Sequence, residues 1–178
     1  KIKKDLQRKE KTIMQQIKKE TGVDVQIFAG TSIQKAFDKL NIPYERTATG
    51  KPKFDKNFLL THKHPVPKMI VDARETNKAR TTFIDTILRH SHKGRIHANI
   101  NQMRSDEGGG TVTGRFSYSN PNLQQVPARN KEIGPLIRSV FIPNEGCTWG
   151  SFDYSQQEPR VLVHYAALTG GGLKGADE

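Results

Sequence analysis

Residues 148–166 read TWGSFDYSQQEPRVLVHYA, and their pattern indicates an extended segment that turns sharply into a helix. Thr148–Tyr154 has the residue types of a strand, and the apolar run that ends the segment suits a helix. Ser155 and Glu158 have the spacing of a capping box, in which the two side chains satisfy free N–H groups at a helix start. The sequence therefore places Asp153 at the end of a strand, just before a helix.

Asp153 is well placed to hold a hard divalent cation such as Mg²⁺. Its carboxylate and the adjacent backbone carbonyl both supply oxygen ligands, which this ion prefers. A surface aspartate or an N-cap aspartate has the same spacing, however, and no nearby acidic residue supplies an obvious second ligand. From the residues alone, both interpretations stay open.

The rest of the chain predicts helices first and strands afterwards. Apolar periodicity predicts helices over three ranges: Lys1 to Glu20, ending at Gly22; Thr31 to Leu40, capped by Thr31 or Ser32; and about Pro67 to Leu88. Tyr44 to Lys56 is rich in Thr, Lys, Gly and Pro, which predicts an exposed loop. Alternation with period two predicts a strand over Arg95 to Asn101.

The composition indicates a polyanionic partner. The chain has 178 residues, with 29 lysines and arginines against 18 aspartates and glutamates, and a formal charge of +11. The single cysteine, Cys147, excludes an internal disulfide and a cysteine-based zinc site. Because there is no signal-peptide core and no apolar run near the ~18 residues of a membrane span, we expect a cytoplasmic protein without a membrane partner.

Two basic patterns have both a functional and an ordinary interpretation. Arg74 and Lys78 lie four residues apart on one predicted helix face, so they can project into the same groove or belong to a solvated face. The segment from Arg115 to Arg129 carries amide and guanidinium donors suited to phosphates and to minor-groove acceptors. On composition alone, it is equally a polar loop.

Two histidine pairs look like metal ligands but have a simpler interpretation. His62 and His64, like His90 and His92, are separated by one residue and lie among lysines. They lack the helical spacing and the cysteines of common zinc motifs. We therefore expect solvated loops at both pairs.

Four motifs, in their order and spacing, resemble family-A DNA polymerases, the group that includes bacterial DNA polymerase I and many phage replicases. They are TGRFS at 113–117, PNLQQVP at 121–127, IRSVF at 137–141 and DYSQQEPR at 153–160. Further matches lie upstream, at Ala48-Thr49-Gly50, His64-Pro65, Arg74, Lys78, Thr82-Phe83 and Gly94-Arg95-Ile96-His97. The resemblance implies an α+β fold, with a mostly helical thumb over residues 1–88 and the first part of a palm with antiparallel strands over 89–178.

The resemblance assigns the chemistry to the DYSQQEPR motif. It implies that Asp153 is catalytic and holds two magnesium ions, with the Tyr154 backbone carbonyl as a further ligand. Those ions activate the primer 3′-hydroxyl and neutralise charge on the triphosphate. Glu158 matches the steric gate, which excludes ribonucleotides by crowding the sugar 2′ position. The residues implied to bind the deoxynucleoside triphosphate are Tyr154, Ser155, Gln156, Gln157 and Glu158, whereas Arg160 is expected to hold the motif together.

The resemblance also implies a grip on primer-template DNA. Arg115 matches the arginine that enters the minor groove at the primer terminus, where every base pair offers acceptors. The remaining residues implied to contact DNA are Asn122, Gln124 and Arg129 at the primer-template junction, and Arg74 with Lys78 at the thumb-palm boundary.

The sequence departs from the commonest bacterial pattern at Gln157 and Pro159, which indicates a phage-like branch. It does not contain the fingers helix, the second catalytic aspartate or a 3′–5′ exonuclease domain, so we expect DNA synthesis only from a longer protein. The alternative is a non-catalytic basic DNA-binding module, and the sequence after Glu178 would distinguish the two. Glu158 disfavours a single-subunit RNA polymerase.

Overall fold

The computed structural model describes residues 1–106, 108–128 and 130–169, which form an α+β arrangement of helices and short antiparallel strand pairs. The chain divides into two compact units, residues 1–140 and 141–178. Within the described ranges, every strand pair belongs to the first unit, and the second has one helix. No helix in those ranges combines the length and the apolar character needed to cross a membrane.

Helix α1 (Ile2–Thr21) confirms the first predicted helix. Its apolar stripe buries Leu6, Ile13 and Ile17, as the spacing of these residues requires. The helix ends at Gly22, which adopts the left-handed conformation with φ 61°. Glycine takes this conformation without the steric cost that a Cβ brings, and so it ends the helix at the predicted place.

Helix α2 (Gly30–Lys39) confirms the second predicted helix but not its cap. The N-cap is Ala29, with no side-chain hydrogen bond, so the prediction that Thr31 or Ser32 caps the helix is wrong. The helix begins before either residue, which places both hydroxyls inside its first turn. Ser32 Oγ instead accepts a hydrogen bond of 2.9 Å from the backbone N–H of Gln26.

The segment between Tyr44 and Lys56 is mostly exposed, as predicted, but it contains a small hairpin that the sequence did not predict. Strands β1 (Glu45–Arg46) and β2 (Pro52–Lys53) pair in antiparallel register. Phe54, directly after β2, is buried against Phe37 with ring centroids 4.8 Å apart. This aromatic contact anchors the hairpin, and that is why the segment is ordered despite its polar composition.

A continuous helical stretch over residues 65–90 covers the third predicted helix, and a short separate helix precedes it. Helix α3 (Lys56–Thr61) is followed by α4 (Pro65–Lys78), by a π-helical segment (Ala79–Ile84) and by α5 (Asp85–His90). Helix α4 begins at Pro65, two residues before the predicted start. Proline is tolerated there because the N–H groups of a first helical turn have no partner within the helix, so the N–H that proline lacks is not needed. The wider π turn had no signal in the sequence pattern.

The predicted strand from Arg95 to Asn101 is divided between two antiparallel pairs. Strand β3 (Ser91–His92) pairs with β4 (Arg95–Ile96), and β5 (Asn99–Asn101) pairs with β6 (Ser117–Ser119). A 3₁₀ turn (Leu123–Gln125) and helix α6 (Ile133–Arg138) complete the first unit. The alternating pattern correctly predicted strands in this range. It could not reveal that the two parts of the range pair with different strands.

Two apolar clusters form the core of the first unit. The larger one joins α1, α2, α3 and α4 around side chains that include Ile17, Ile33, Phe37, Leu59 and Ile70. The smaller one joins the beginning of α1 to the π-helical segment and α6; its buried members are Leu6, Ala79, Ile84, Ile133 and Ile137. Helix α1 therefore contributes to both clusters.

The second unit contains helix α7 (Gln157–Leu168) and, before it, a segment without regular secondary structure. Thr148–Tyr154 does not form a strand, because it has no pairing partner among the described residues. None of the residues of α7 is buried.

Candidate functional site

Asp153 lies outside any helix or strand, two residues before the turn at Ser155 and Gln156 that leads into α7. Its side chain is exposed, and the neighbouring Tyr154 is 81% exposed. An exposed carboxylate next to a backbone carbonyl is accessible to a hydrated cation. The placement predicted from the sequence is therefore present, although the predicted strand is not.

The turn after Asp153 contains a left-handed residue that is not glycine. Gln156 is the N-cap of α7, with φ 51° and ψ 42° and no side-chain capping bond. The predicted capping box between Ser155 and Glu158 is therefore wrong, because a left-handed Gln156 cannot serve as the first right-handed helical residue after a Ser155 cap. This conformation costs a residue with a side chain roughly 1–2 kcal/mol. Such strain is commonly found at functional turns.

Arg160 stabilises this turn. Its Nε donates a hydrogen bond of 3.0 Å to the carbonyl of Ser155, and its backbone N–H donates one of 3.1 Å to the carbonyl of Gln156. The side chain thus joins the first turn of α7 to the residue that precedes the strained position. This is the structural role expected for Arg160.

A shallow groove of about 360 Å³ lies beside the turn. The residues that line it are Tyr154, Ser155, Gln157, Arg160 and Val161. They include part of the predicted nucleotide-binding set; Gln156 and Glu158 do not line the groove. The Glu158 side chain is not free, since it has an interaction partner in the structure.

The described residues do not form a complete metal site. No group of three or more His, Cys, Asp or Glu side chains with metal-binding geometry occurs in the ranges that the structure describes. Mg²⁺ is commonly held by one or two carboxylates together with waters and substrate phosphates. Asp153 and the Tyr154 carbonyl fit such an ion as one part of a larger ligand set.

Arg115 lies on the long connection between β5 and β6, two residues before β6. Its side chain is exposed, and its backbone carbonyl accepts a hydrogen bond of 2.6 Å from Thr111 Oγ1. Gly110, near the middle of the same connection, packs against the backbone of its beginning. It has φ 89°, and a Cβ there would lie 2.3 Å from the carbonyl oxygen of Met103, so only glycine fits.

Asn122 and Gln124 lie close to this connection. Asn122 bonds to the backbone of Gln124, and Gln124 bonds to the backbone of the connection. Asn122 Oδ1 accepts a hydrogen bond of 3.1 Å from the N–H of Gln124, which caps the 3₁₀ turn. Gln124 Nε2 donates one of 2.9 Å to the carbonyl of Phe116, next to Arg115. The structure therefore brings three of the predicted DNA-contacting residues together. A fourth, Arg129, lies outside the described residues.

Arg74 is held by two backbone carbonyls. Its Nε donates a hydrogen bond of 2.7 Å to Ile27, and Nη1 donates one of 2.6 Å to Phe54. Burial lowers the pKa of the Arg74 guanidinium, which nevertheless stays charged near neutral pH. The sequence pattern placed Arg74 beside Lys78 on a helix face. It did not suggest these two contacts with distant backbone carbonyls.

A second groove, of about 400 Å³, lies along α4 and the π-helical segment. The residues that line it are Phe28, Lys56, Arg74, Glu75, Asn77, Lys78, Thr81 and Thr82. Lys78 is exposed and has no ion pair in the part of the chain that the structure describes. The π-helical segment contributes its two threonines, so its wider turn shapes one wall of this groove.

The prediction of solvated loops is wrong for three of the four paired histidines, whereas His92 is exposed in β3. His62 packs edge-on against Phe58 and Phe37, with ring centroids 4.8 and 5.9 Å away. His64 Nδ1 caps α4 by accepting a hydrogen bond of 3.2 Å from Val66 N–H. His90 contacts the carbonyl of Thr86, one helical turn earlier.

Sequence reasoning missed a polar network that fixes the helices behind the groove. The Glu10 carboxylate on α1 accepts hydrogen bonds from Asn77 Nδ2 at 2.7 Å and from Arg80 Nε at 3.2 Å. Asn130 Nδ2 donates one of 2.7 Å to Glu75, which also pairs with Lys56. These partners are far apart in sequence, and only the three-dimensional fold brings them together.

Comparison with known proteins gives consistent matches. A sequence profile described as DNA polymerase family A matches residues 1–169. A DNA-directed DNA polymerase of Pseudomonas phage M6 is 44% identical over 142 residues, which is 76% of this chain. The thermostable DNA polymerase I of Thermus aquaticus is 40% identical over 134 residues, or 72% of this chain. The chain spans only 21% and 15% of these two relatives.

The fold also matches a solved structure. The chain is similar to the POL domain of Pol1 from M. smegmatis, in a complex with DNA primer-template and dNTP, with a TM-score of 0.73 and 26% identity. The similarity covers 95% of this chain and 31% of that one.

Proposed function

Because the chain belongs to DNA polymerase family A, we propose that it forms part of a DNA-directed DNA polymerase that extends a primer along a DNA template. The observation that carries this proposal is the family match over residues 1–169, a range that includes both Arg115 and the motif at Asp153. The phage relatives favour a phage replicase acting in the cytoplasm of an infected bacterium. The substrates are primer-template DNA and deoxynucleoside triphosphates.

Asp153 is the residue to which we assign catalysis. Family-A polymerases are metal-dependent, and we propose Mg²⁺ with Asp153 and the Tyr154 carbonyl among its ligands. Bound divalent ions would supply charge neutralisation for the attacking 3′-oxygen and for the triphosphate. Two observations support this assignment. The Asp153 side chain is exposed, and Arg160 donates a hydrogen bond to the Ser155 carbonyl that stabilises the adjacent turn.

The groove beside the turn is our proposed nucleotide site. Tyr154, Ser155 and Gln157 line it, and Gln156 shapes the turn through its left-handed backbone. We assign Glu158, on the first turn of α7, to the selection of deoxyribose over ribose. A carboxylate close to the sugar 2′ carbon would exclude a hydroxyl there by steric crowding.

DNA contact is assigned to two regions of the first unit. Exposed Arg115, with Asn122 and Gln124 beside it, is proposed to read minor-groove acceptors that all base pairs share. Lys78 and Arg74 belong to the groove along α4, and Arg129 joins the DNA-contacting set by resemblance. We propose that residues 1–88 belong to the thumb and 89–178 to the first part of the palm.

The experiment is primer extension by the full-length protein that carries this chain. We expect products whose length follows the template and whose formation stops when divalent ions are chelated. The 178-residue chain by itself should not extend a primer, since its described residues lack a complete metal site. Tight binding of primed DNA without extension by the full-length protein would instead indicate a non-catalytic DNA-binding module.

A further inference from the structure

The contacts of Arg74 distinguish it from every other basic residue in the groove along α4. Its two hydrogen bonds reach backbone carbonyls that are 47 and 20 residues away in sequence. The residues that own these carbonyls, Ile27 and Phe54, are both buried. Arg74 thus joins α4 to the segment before α2 and to the segment after β2.

These bonds restrict what Arg74 can do for a ligand. A guanidinium has rigidly arranged donors, and two of its nitrogens are already engaged at 2.7 and 2.6 Å. If the side chain swung out to a phosphate, it would leave two carbonyls in a buried region without their partner, which is costly. Lys78, one helical turn further on, is exposed and has no such commitment in the described structure.

The two anchored carbonyls border the groove itself. Ile27 directly precedes Phe28, and Phe54 lies two residues before Lys56; both Phe28 and Lys56 line the groove. Holding these carbonyls therefore fixes the backbone of two of the segments that form the groove, while α4 supplies Lys78 and Asn77.

We propose that Arg74 is a positioning residue, which fixes the walls of the DNA groove, and that Lys78 is the phosphate ligand on the same helix face. This proposal rests on the proposed function, because it takes primed DNA as the occupant of the groove. It separates two residues that the sequence pattern treats as equivalent.

The test uses the full-length protein with Arg74→Gln, Arg74→Lys and the matched variant Lys78→Gln. Binding of primed DNA is measured over a range of salt concentrations, and hydrogen exchange is measured without DNA. Each phosphate contact contributes about −0.9 to the slope of log affinity against log salt. We expect Lys78→Gln to reduce the slope by about this amount and to leave hydrogen exchange unchanged.

Both Arg74 variants should weaken DNA binding severalfold at every salt concentration without changing the slope. Hydrogen exchange should accelerate at least about tenfold around Ile27 and Phe54 in Arg74→Gln, because each bond to a charged group is worth more than a neutral one. Arg74→Lys should show an intermediate acceleration, since an ammonium can retain one of the two bonds. If Arg74→Gln is not recovered folded, Arg74→Lys supplies the comparison.

The proposal would be overturned if Arg74→Gln reduced the salt slope as much as Lys78→Gln does and left hydrogen exchange unchanged. Arg74 would then be a phosphate ligand. Unchanged hydrogen exchange in both Arg74 variants would equally overturn the proposal. Failure of the proposed function has a different signature. The wild-type protein would not bind primed DNA, while the hydrogen-exchange difference at Arg74 would persist.

Discussion

Replacing Glu10 with alanine should loosen the attachment of α1 to the helices behind the groove along α4. The Glu10 side chain is 17% exposed, and its carboxylate accepts hydrogen bonds from Asn77 at 2.7 Å and from Arg80 at 3.2 Å. Hydrogen bonds to charged groups contribute roughly 1.5–3 kcal/mol each. Arg80 keeps a second carboxylate, Asp85, at 4.0 Å, which offsets part of the loss. We therefore expect a loss of roughly 2–4 kcal/mol in the stability of α1.

The assay is native-state hydrogen exchange of the α1 amides in the full-length protein, which reports the free energy of local opening. Glu20→Ala is the matched control, because Glu20 is exposed on the same helix and has no hydrogen bond or ion pair in the described structure. It should change the opening free energy by less than about 0.5 kcal/mol. A double-mutant cycle with Asn77→Ala should give a coupling of roughly 0.5–3 kcal/mol. Equal exchange in Glu10→Ala and Glu20→Ala would refute the reasoning.

The remaining predictions concern a helix cap, the core and the sugar gate. The pKa of Asp55 is lowered from 3.8, first by the N–H of Phe58 and then by Lys53, so the charge of Asp55 stabilises α3 above that value. The stability advantage of wild type over Asp55→Asn should be constant above about pH 5 and disappear as the pH falls through the lowered pKa, and a pH-independent difference in denaturation would contradict this. Phe37→Ala should destabilise the first unit by roughly 3–5 kcal/mol, whereas Phe28→Ala, at a 66% exposed position, should cost less than about 0.5 kcal/mol in the same unfolding measurement. Glu158→Ala in the full-length protein should admit ribonucleotides in a primer-extension assay, and unchanged sugar discrimination would reject the gate.

The helical part of the fold could be predicted from the sequence because its signals are local. The apolar spacing of Leu6, Ile13 and Ile17 predicts α1, and Gly22 marks its end. These signals depend on helical geometry and on the freedom of glycine, both of which act within a few residues. The α+β class was implied by the family resemblance, and the mixture of helices and antiparallel strand pairs confirms it.

The errors arose where the backbone depends on distant partners. Thr148–Tyr154 has strand composition, but a strand needs a partner for its hydrogen bonds, and none lies among the described residues. The capping box failed because Gln156 adopts a left-handed conformation that no local rule predicts for glutamine. The predicted cap of α2 is wrong because the helix begins at Gly30, one residue before the predicted start at Thr31.

The candidate site was predictable in its residues more than in its contacts. Asp153, Arg115 and Lys78 were identified by resemblance, and their side chains are exposed as a binding role requires. The bonds of Arg74 and the network around Glu10 were not foreseen, because they join residues that are 20 to 70 positions apart. Such contacts follow from helix packing, which a single sequence does not reveal.

The most direct test of catalysis at Asp153 is single-turnover primer extension by the full-length protein with Asp153→Asn, compared with wild type and with Asp38→Asn. Asp38 is also an exposed aspartate, and it lies on α2 in the first unit, outside the motif sequence. A metal ligand contributes several kcal/mol to the transition state, so Asp153→Asn should slow extension at least about a hundredfold. Primed-DNA affinity should stay within a few-fold of wild type, and Asp38→Asn should extend normally. A wild-type extension rate in Asp153→Asn would contradict the account.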